Sequence, residues 1–369
     1  MRTRTFTLIA VLALVLAACS TGGDAGDDST ASTEAPAETT TTVTGAPDAV
    51  ELSYSLEPGM SFSYEVDLNQ TIDLTAEGDA SAMGDEEIPG EMSVNLSGTA
   101  VMTHSVEEGP EPETYAINIT GDLSDLEITG TVDGEPVTGE DIPEFATMEP
   151  IDVTIVVDEQ GNIIPDDSSG LGEDFLGDMG GLGGLDALGQ LGPGGDAGQF
   201  VGPPFSEEEV TVGDTWSDTV EVPTMPGDDP ITTQIESEVV RTDTVEGNEV
   251  FVIETTTTTS AIEFDLAEFF AGFMSAFIPE DASEEDLAEL EAITSELRFA
   301  FAVDETVANL TTWFDYEAGL ARQAEFDNST RIVFDINVPD EESGEMVEFA
   351  MDMTVTSDIA YRLTEASGA

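Results

Sequence analysis

Alternation with a period of two dominates the chain. Glu51 to Leu56 and Ser61 to Leu68 place an apolar residue at every second position, as do Met92 to Leu96, Tyr115 to Ile119 and Glu348 to Val355. Strict alternation marks a strand that is buried on one face and wet on the other. Such strands belong to antiparallel sheets, because parallel sheets are covered on both faces. Turn signals sit between the runs. Ile151–Val157 leads through Glu159-Gln160-Gly161-Asn162 to Ile163-Ile164. Ile231–Val245 and Glu249–Phe264 flank Glu246-Gly247-Asn248. Thr311–Tyr316 and Leu320–Phe326 flank Glu317-Ala318-Gly319. Gly or Asn at these points supplies the positive φ of tight hairpins. The β-branched run Thr255 to Thr259 suits a pleated surface.

A different period appears once. Leu266, Phe269, Phe270, Phe273, Met274 and Phe277 follow the spacing of one helix face, an arc of about 140° at 100° per residue. Pro279 ends the pattern. A second helix begins at Ser283 with Asp286 in capping position and continues through Leu287, Leu290 and Leu297. The fold expected is therefore mainly β (α+β): antiparallel sheets with a helical hairpin inserted at about 265–297. The sheets fall into two halves, residues 49–168 and 205–366. The halves echo each other weakly: Gly59 precedes the aromatic Phe62 as Gly213 precedes Trp216, with a strand following each. Duplication and chance recurrence both explain the echo. Between the halves, 169–204 is rich in Gly and Leu, and reads either as a linker or as a loose flap.

The N-terminus brings in a compartment. Met1-Arg2-Thr3-Arg4 is basic, and Phe6 to Ala18 is apolar or neutral throughout. That run is too short to span a hydrocarbon core of roughly 30 Å, but it fits the core of a secretory signal. It ends in Leu16-Ala17-Ala18-Cys19, and Cys19 is the only cysteine. The tetrapeptide resembles the lipobox of bacterial lipoproteins. That resemblance implies cleavage of a signal peptide at 1–18 and attachment of diacylglycerol and palmitate-type chains to Cys19, since stable anchoring takes more than one chain. The alternative is a plain signal with an incidental cysteine. Residues 19–48, made of Thr, Ser, Gly, Ala, Pro and acid, cannot bury enough surface to offset ordering entropy, and read as a disordered acidic tether. The expected location is the extracytoplasmic face of the cell membrane, held there by lipid on Cys19.

Charge sharpens the exclusions. The chain carries 80 acidic residues against seven Arg, a formal net charge of −73, and no Lys at all. Nucleic acid is excluded as a partner, because it demands a basic footprint. The charge itself is open to three readings: a solvated surface, loosely bound cations, or a basic protein partner. Asp166-Asp167 and Asp340-Glu341-Glu342 are acidic clusters, and no segment matches a calcium-binding helix-loop-helix pattern.

Catalytic chemistry finds little footing. His104 is the only histidine and falls in an alternating stretch, so it reads as a neutral strand residue rather than a general base. No nucleophile elbow is present. The expectation is a protein that is not an enzyme and uses no cofactor. Pro204-Phe205 ahead of Gly213-Asp214-Thr215-Trp216, with the opening Gly59-to-Phe62 strand, is similar to a β-rich bacterial lipoprotein family of unknown function. That likeness implies a fold and no activity. The Phe-rich helix (Leu266, Phe269, Phe270, Phe273, Met274, Phe277) is the candidate ligand-binding face for an apolar small molecule or lipid, set against ordinary core packing. The alternative role is a structural or interaction module that presents an acidic face to cations, wall polymer or a protein.

Overall fold

The computed structural model describes residues 49–78, 89–112, 114–122, 125–139, 151–158, 205–206, 208–222, 231–265, 298–339 and 346–367. Every regular element among these is a strand. They are β1 (Ser61–Gly78), β2 (Glu91–Glu108), β3 (Thr114–Asp122), β4 (Glu127–Val132), β5 (Glu135–Thr138), β6 (Ile151–Asp158), β7 (Thr215–Val222), β8 (Ile231–Val245), β9 (Asn248–Thr259), β10 (Ile262–Asp265), β11 (Arg298–Val303), β12 (Thr306–Asp315), β13 (Leu320–Pro339) and β14 (Met346–Ser367). The expected helical hairpin at about 265–297 lies outside the described residues beyond Asp265, the last residue of β10. So do the signal peptide, the tether, the 169–204 segment and the return limb at Ile163-Ile164.

All 14 strands join one sheet, in the order β5-β4-β2-β1-β14-β13-β12-β9-β8-β7, with β3-β6 and β11-β10 branching from β2 and β13. Every strand pairing is antiparallel, and β1 is bonded to β14, so the first strand and the last lie side by side at the centre. The two halves of the sequence therefore share one hydrogen-bonded sheet. Two long strands each serve two partners along a single edge. Met92–Ser97 of β2 pairs β4 and Val101–Glu108 pairs β3; Leu320–Asn328 of β13 pairs β12 and Ile332–Asn337 pairs β11.

The hairpins follow the turn chemistry. Glu246 and Gly247 both have positive φ, 53° and 91°, between β8 and β9, the geometry of a two-residue turn that matches strand twist. Asp133-Gly134 does the same between β4 and β5, at 51° and 78°. Two expectations need correction. Glu249–Phe264 is not one strand: Ser260 leaves the ladder, its N–H donating to the Thr232 carbonyl at 2.9 Å, and β10 turns to pair with β11 instead. Glu51–Leu56 is not a ladder strand at all. Its alternation is real, since Leu52, Tyr54 and Leu56 are buried, but its backbone bonds are scattered: Val50 bridges Val210, and Ser55 N–H donates to the Gly319 carbonyl at 3.2 Å. An extended segment lying across a sheet buries every second side chain as a strand does, so period two records burial rather than pairing.

The echo between the halves has matched geometry. Gly59 and Gly213 sit in turns at φ 93° and 94°. Gly59 N–H donates to Val106 O (2.8 Å) and Val106 N–H to Met60 O (2.9 Å); Gly213 N–H donates to Val239 O (2.7 Å) and Val239 N–H to Asp214 O (3.0 Å). β1 and β7 start two residues after these glycines, and each pairs with the strand that follows it.

One face of the sheet carries the core. Phe62, Tyr64, Val66, Ile72 and Leu74 on β1 point the same way, and Glu65, Asp67, Asp73 and Glu77 occupy the alternate positions. The core divides into two clusters along the long strands. The aromatic cluster unites Phe62, Tyr64, Ile117, Ile119, Val157, Val239, Phe251, Ile253 and Phe314 with Leu52, Tyr54, Leu56, Met60, Phe205 and Val210 from outside the strands. The aliphatic cluster unites Ile72, Leu74, Met92, Val94, Leu96, Ile128, Ile231, Ile262, Phe301, Val303, Ile332, Phe349, Met351, Met353 and Val355.

Candidate functional site

A row of uncharged polar side chains separates the two clusters on the inner face. On β1 the inward positions run Phe62, Tyr64, Val66, Leu68, then Gln70, then Ile72 and Leu74. On β14 they run Met353, Val355, then Ser357, then Ile359 and Tyr361. On β13, Asn328 and Thr330 interrupt Phe326 and Ile332. The register aligns these interruptions: Gln70 pairs with Ser357 and Ser357 with Asn328. Across β12 the row continues to Thr257, opposite Ala308, and to the Ser237–Thr255 pair. Gln70, Ser357, Asn328, Thr330, Thr257, Thr255 and Ser237 are all at most 6% exposed.

Buried polar groups cost free energy unless they are hydrogen-bonded. Gln70 Nε2 donates to Ser357 Oγ at 3.1 Å, and the Ser237 and Thr255 hydroxyls share a bond of 2.9 Å. The Thr330 hydroxyl, 1% exposed, has no hydrogen-bond partner among the described residues, and the Thr312 hydroxyl on β12 likewise has none. The row contains neither an acid nor a base. It offers hydroxyl and amide groups in apolar surroundings, which recognise uncharged oxygen and nitrogen and exclude ions.

The outer face is its electrostatic opposite. Arg331 makes a two-pronged contact with Asp352, Nε to Oδ1 at 3.0 Å and Nη2 to Oδ2 at 2.7 Å. Asp327 and Asp358 stand directly opposite each other across β13 and β14. Asn309 Nδ2 donates to Asp327 at 3.1 Å, and Asn69 Nδ2 to Asp358 at 3.5 Å. No group of three or more metal-ligating side chains is found among the described residues.

His104 lies on β2, 1% exposed. Its ring stacks on Phe62 at 4.9 Å and meets Tyr64 edge-on at 5.4 Å. Burial disfavours its charged form and lowers its pKa to about 4, so it is neutral at pH 7, as its strand position led us to expect. Burial also raises the pKa values of Tyr54, Tyr64 and Tyr361, and the Tyr64 hydroxyl donates to the Ala321 carbonyl at 2.9 Å.

Cys19 and the expected ligand face (Leu266, Phe269, Phe270, Phe273, Met274 and Phe277) lie outside the described residues. Their attachment point is described: the chain leaves at Asp265 on β10 and returns at Arg298 on β11, and Ile262, Phe301 and Val303 of these strands belong to the aliphatic cluster. The polar row escaped sequence reasoning. Its signal is a polar residue at an inward position of an alternating strand, and only the register shows that the interruptions on three strands coincide.

No protein-family model matches the chain, and no curated protein does. Among solved structures it is similar to lipovitellin, from a study of lipid–protein interactions, with 11% identity, 85% of this chain and 26% of that chain covered, and a TM-score of 0.30. It is also similar to Pseudomonas aeruginosa OccK7, with 7% identity, 83% and 99% covered, and a TM-score of 0.17. Likenesses this distant bear on neither fold nor chemistry.

Proposed function

We propose that the protein is a lipid-anchored extracytoplasmic lipoprotein whose sheet binds an apolar ligand or lipid without catalysing a reaction. One observation carries the binding part. The connection that holds the Phe-rich segment 266–277 leaves β10 after Asp265 and returns at Arg298 of β11, and both strands contribute side chains to the aliphatic cluster. Convergent apolar surface beside a few placed polar groups is the usual make-up of a ligand site. The anchoring part rests on Leu16-Ala17-Ala18-Cys19. The same reading takes the two sequence halves as related units, supported by the matched turns at Gly59 and Gly213, and takes 283–297 as the second limb of a helical hairpin over the sheet.

The anchoring test is incorporation of radiolabelled palmitate, which Cys19→Ser abolishes. For the ligand, native mass spectrometry of protein extracted from its own membranes should show a bound apolar molecule. Phe269→Ala with Phe273→Ala should lower its occupancy about tenfold or more. Recovery of protein with no apolar ligand, under conditions that retain a control lipid-binding protein's cargo, refutes the reading.

A second reading, an acidic module for cations, wall polymer or a basic protein, is favoured by the Asp327–Asp358 pair. Like charges directly opposite are destabilising, and a counter-ion between them relieves the repulsion. Calcium should then raise the melting temperature beyond what equal ionic strength of sodium does, and Asp358→Asn should remove the difference.

A further inference from the structure

We infer that the inner row formed by Gln70, Ser357, Asn328 and Thr330 is a subsite for the uncharged, oxygen-bearing head of an acylglycerol. This deepens the apolar-ligand reading above and rests on it. Three neighbouring strands break their apolar alternation at one aligned level, and two residues further along β13, opposite Val355, the buried Thr330 hydroxyl has no partner among the described residues. A buried hydroxyl left unbonded costs about 1–3 kcal/mol, and a valine would fill the same space without that cost. The arrangement is costly in a plain core and useful where another molecule supplies the bond.

The chemistry of the row selects the ligand. Ester carbonyl and hydroxyl oxygens match Thr330, Ser357 and Gln70, whose side chains donate and accept without charge. A phosphate or carboxylate would need a cation, and the described Arg side chains are engaged or exposed elsewhere. Arg331 holds Asp352 on the outer face, Arg322 holds Asp315 at 2.7 Å, and Arg241 and Arg362 are exposed. The row has no carboxylate to take a cationic head. The aliphatic cluster, with Ile72, Val355 and Ile332 next to the row along β1, β14 and β13, supplies the surface for acyl chains.

The test uses the full chain in an amphipathic polymer, with radiolabelled dioleoylglycerol, dioleoylphosphatidylglycerol and hexadecane delivered from cyclodextrin. Dioleoylglycerol should bind about tenfold more tightly than the anionic lipid. Thr330→Val and Ser357→Ala should each weaken dioleoylglycerol binding about tenfold, the equivalent of about 1.4 kcal/mol, and leave hexadecane binding unchanged. Thr330→Ser, which keeps the hydroxyl, should keep the affinity. Equal binding of the anionic lipid, or dioleoylglycerol affinity that survives both substitutions, overturns the subsite. If hexadecane still binds in that case, the apolar-ligand reading stands without it. If none of the three probes binds, both fall.

Discussion

The two clusters of the inner face differ in what covers them. The aromatic cluster is covered by the chain's own extended segments. Tyr54 stacks on Phe205 at 4.7 Å, and both rings meet Phe314, at 5.6 and 4.5 Å. Val50–Val210 and Ser55–Gly319 backbone bonds pin those segments in place. The aliphatic cluster has no comparable cover among the described residues. It gathers the strand ends from which the 79–88, 223–230, 266–297 and 340–345 connections leave. Its side chains are Ile, Leu, Val and Met with Phe301 and Phe349, the unbranched and flexible ones among them suited to surfaces that repack. One sheet thus carries an aromatic core pinned by the chain's own segments at one end and an aliphatic core at the other. On the function proposed above, the first end supplies stability and the second receives the ligand.

Breaking the fixed end should have the largest effect. Phe314→Ala empties a site that is 0% exposed, and should cost about 3–5 kcal/mol of unfolding free energy in a denaturant titration. Met351→Ala in the aliphatic cluster should cost less, about 2 kcal/mol, if that end repacks. Equal costs would erase the distinction.

Next in size is a pH effect confined to the aromatic end. His104 titrates near 4 in the fold against an ordinary 6.5. The folded state therefore resists its protonation. Stability is full above pH 6.5 and is lost as pH falls from 6.5 towards 4, by about 3 kcal/mol at 1.36 kcal/mol per unit. Melting curves of His104→Phe should be flat across that window relative to the native chain. Parallel curves for the two proteins would show that the histidine is not the cause.

Gly319 sharpens the role of the covering segment. It has φ +64°, and a side chain there would run into Ser55. Gly319→Ala should lift segment 49–57 from the sheet, cost about 2 kcal/mol, and increase proteolysis within that segment. Unchanged proteolysis would mean that the segment is held elsewhere. The smallest effect belongs to the outer face: Asp352→Asn, which breaks an exposed ion pair with Arg331, should cost under about 1 kcal/mol.

Alternation disclosed the strands that carry the core, because a sheet wet on one face writes its burial into every second residue. Hairpins were readable wherever Gly supplied positive φ, as at Gly247 and Gly319. Asp133-Gly134 carries the same signal between β4 and β5. Alternation could not say that Glu51–Leu56 lies across the sheet outside its ladder, since burial has one period in both cases. Nor could it reveal the pairing of β1 with β14, which depends on contacts hundreds of residues apart. The Gln70–Ser357–Asn328 row was visible as three isolated polar residues. Only that long-range register brings them into one row.

Hydrogen–deuterium exchange of the full chain with and without dioleoylglycerol tests the division of labour most directly. The account predicts slowed exchange in Ile72–Gly78, Glu91–Leu96 and Arg298–Val303, and no change in Ser61–Val66 or Val250–Ile253. Protection spread evenly over both ends, or confined to the aromatic end, would contradict it.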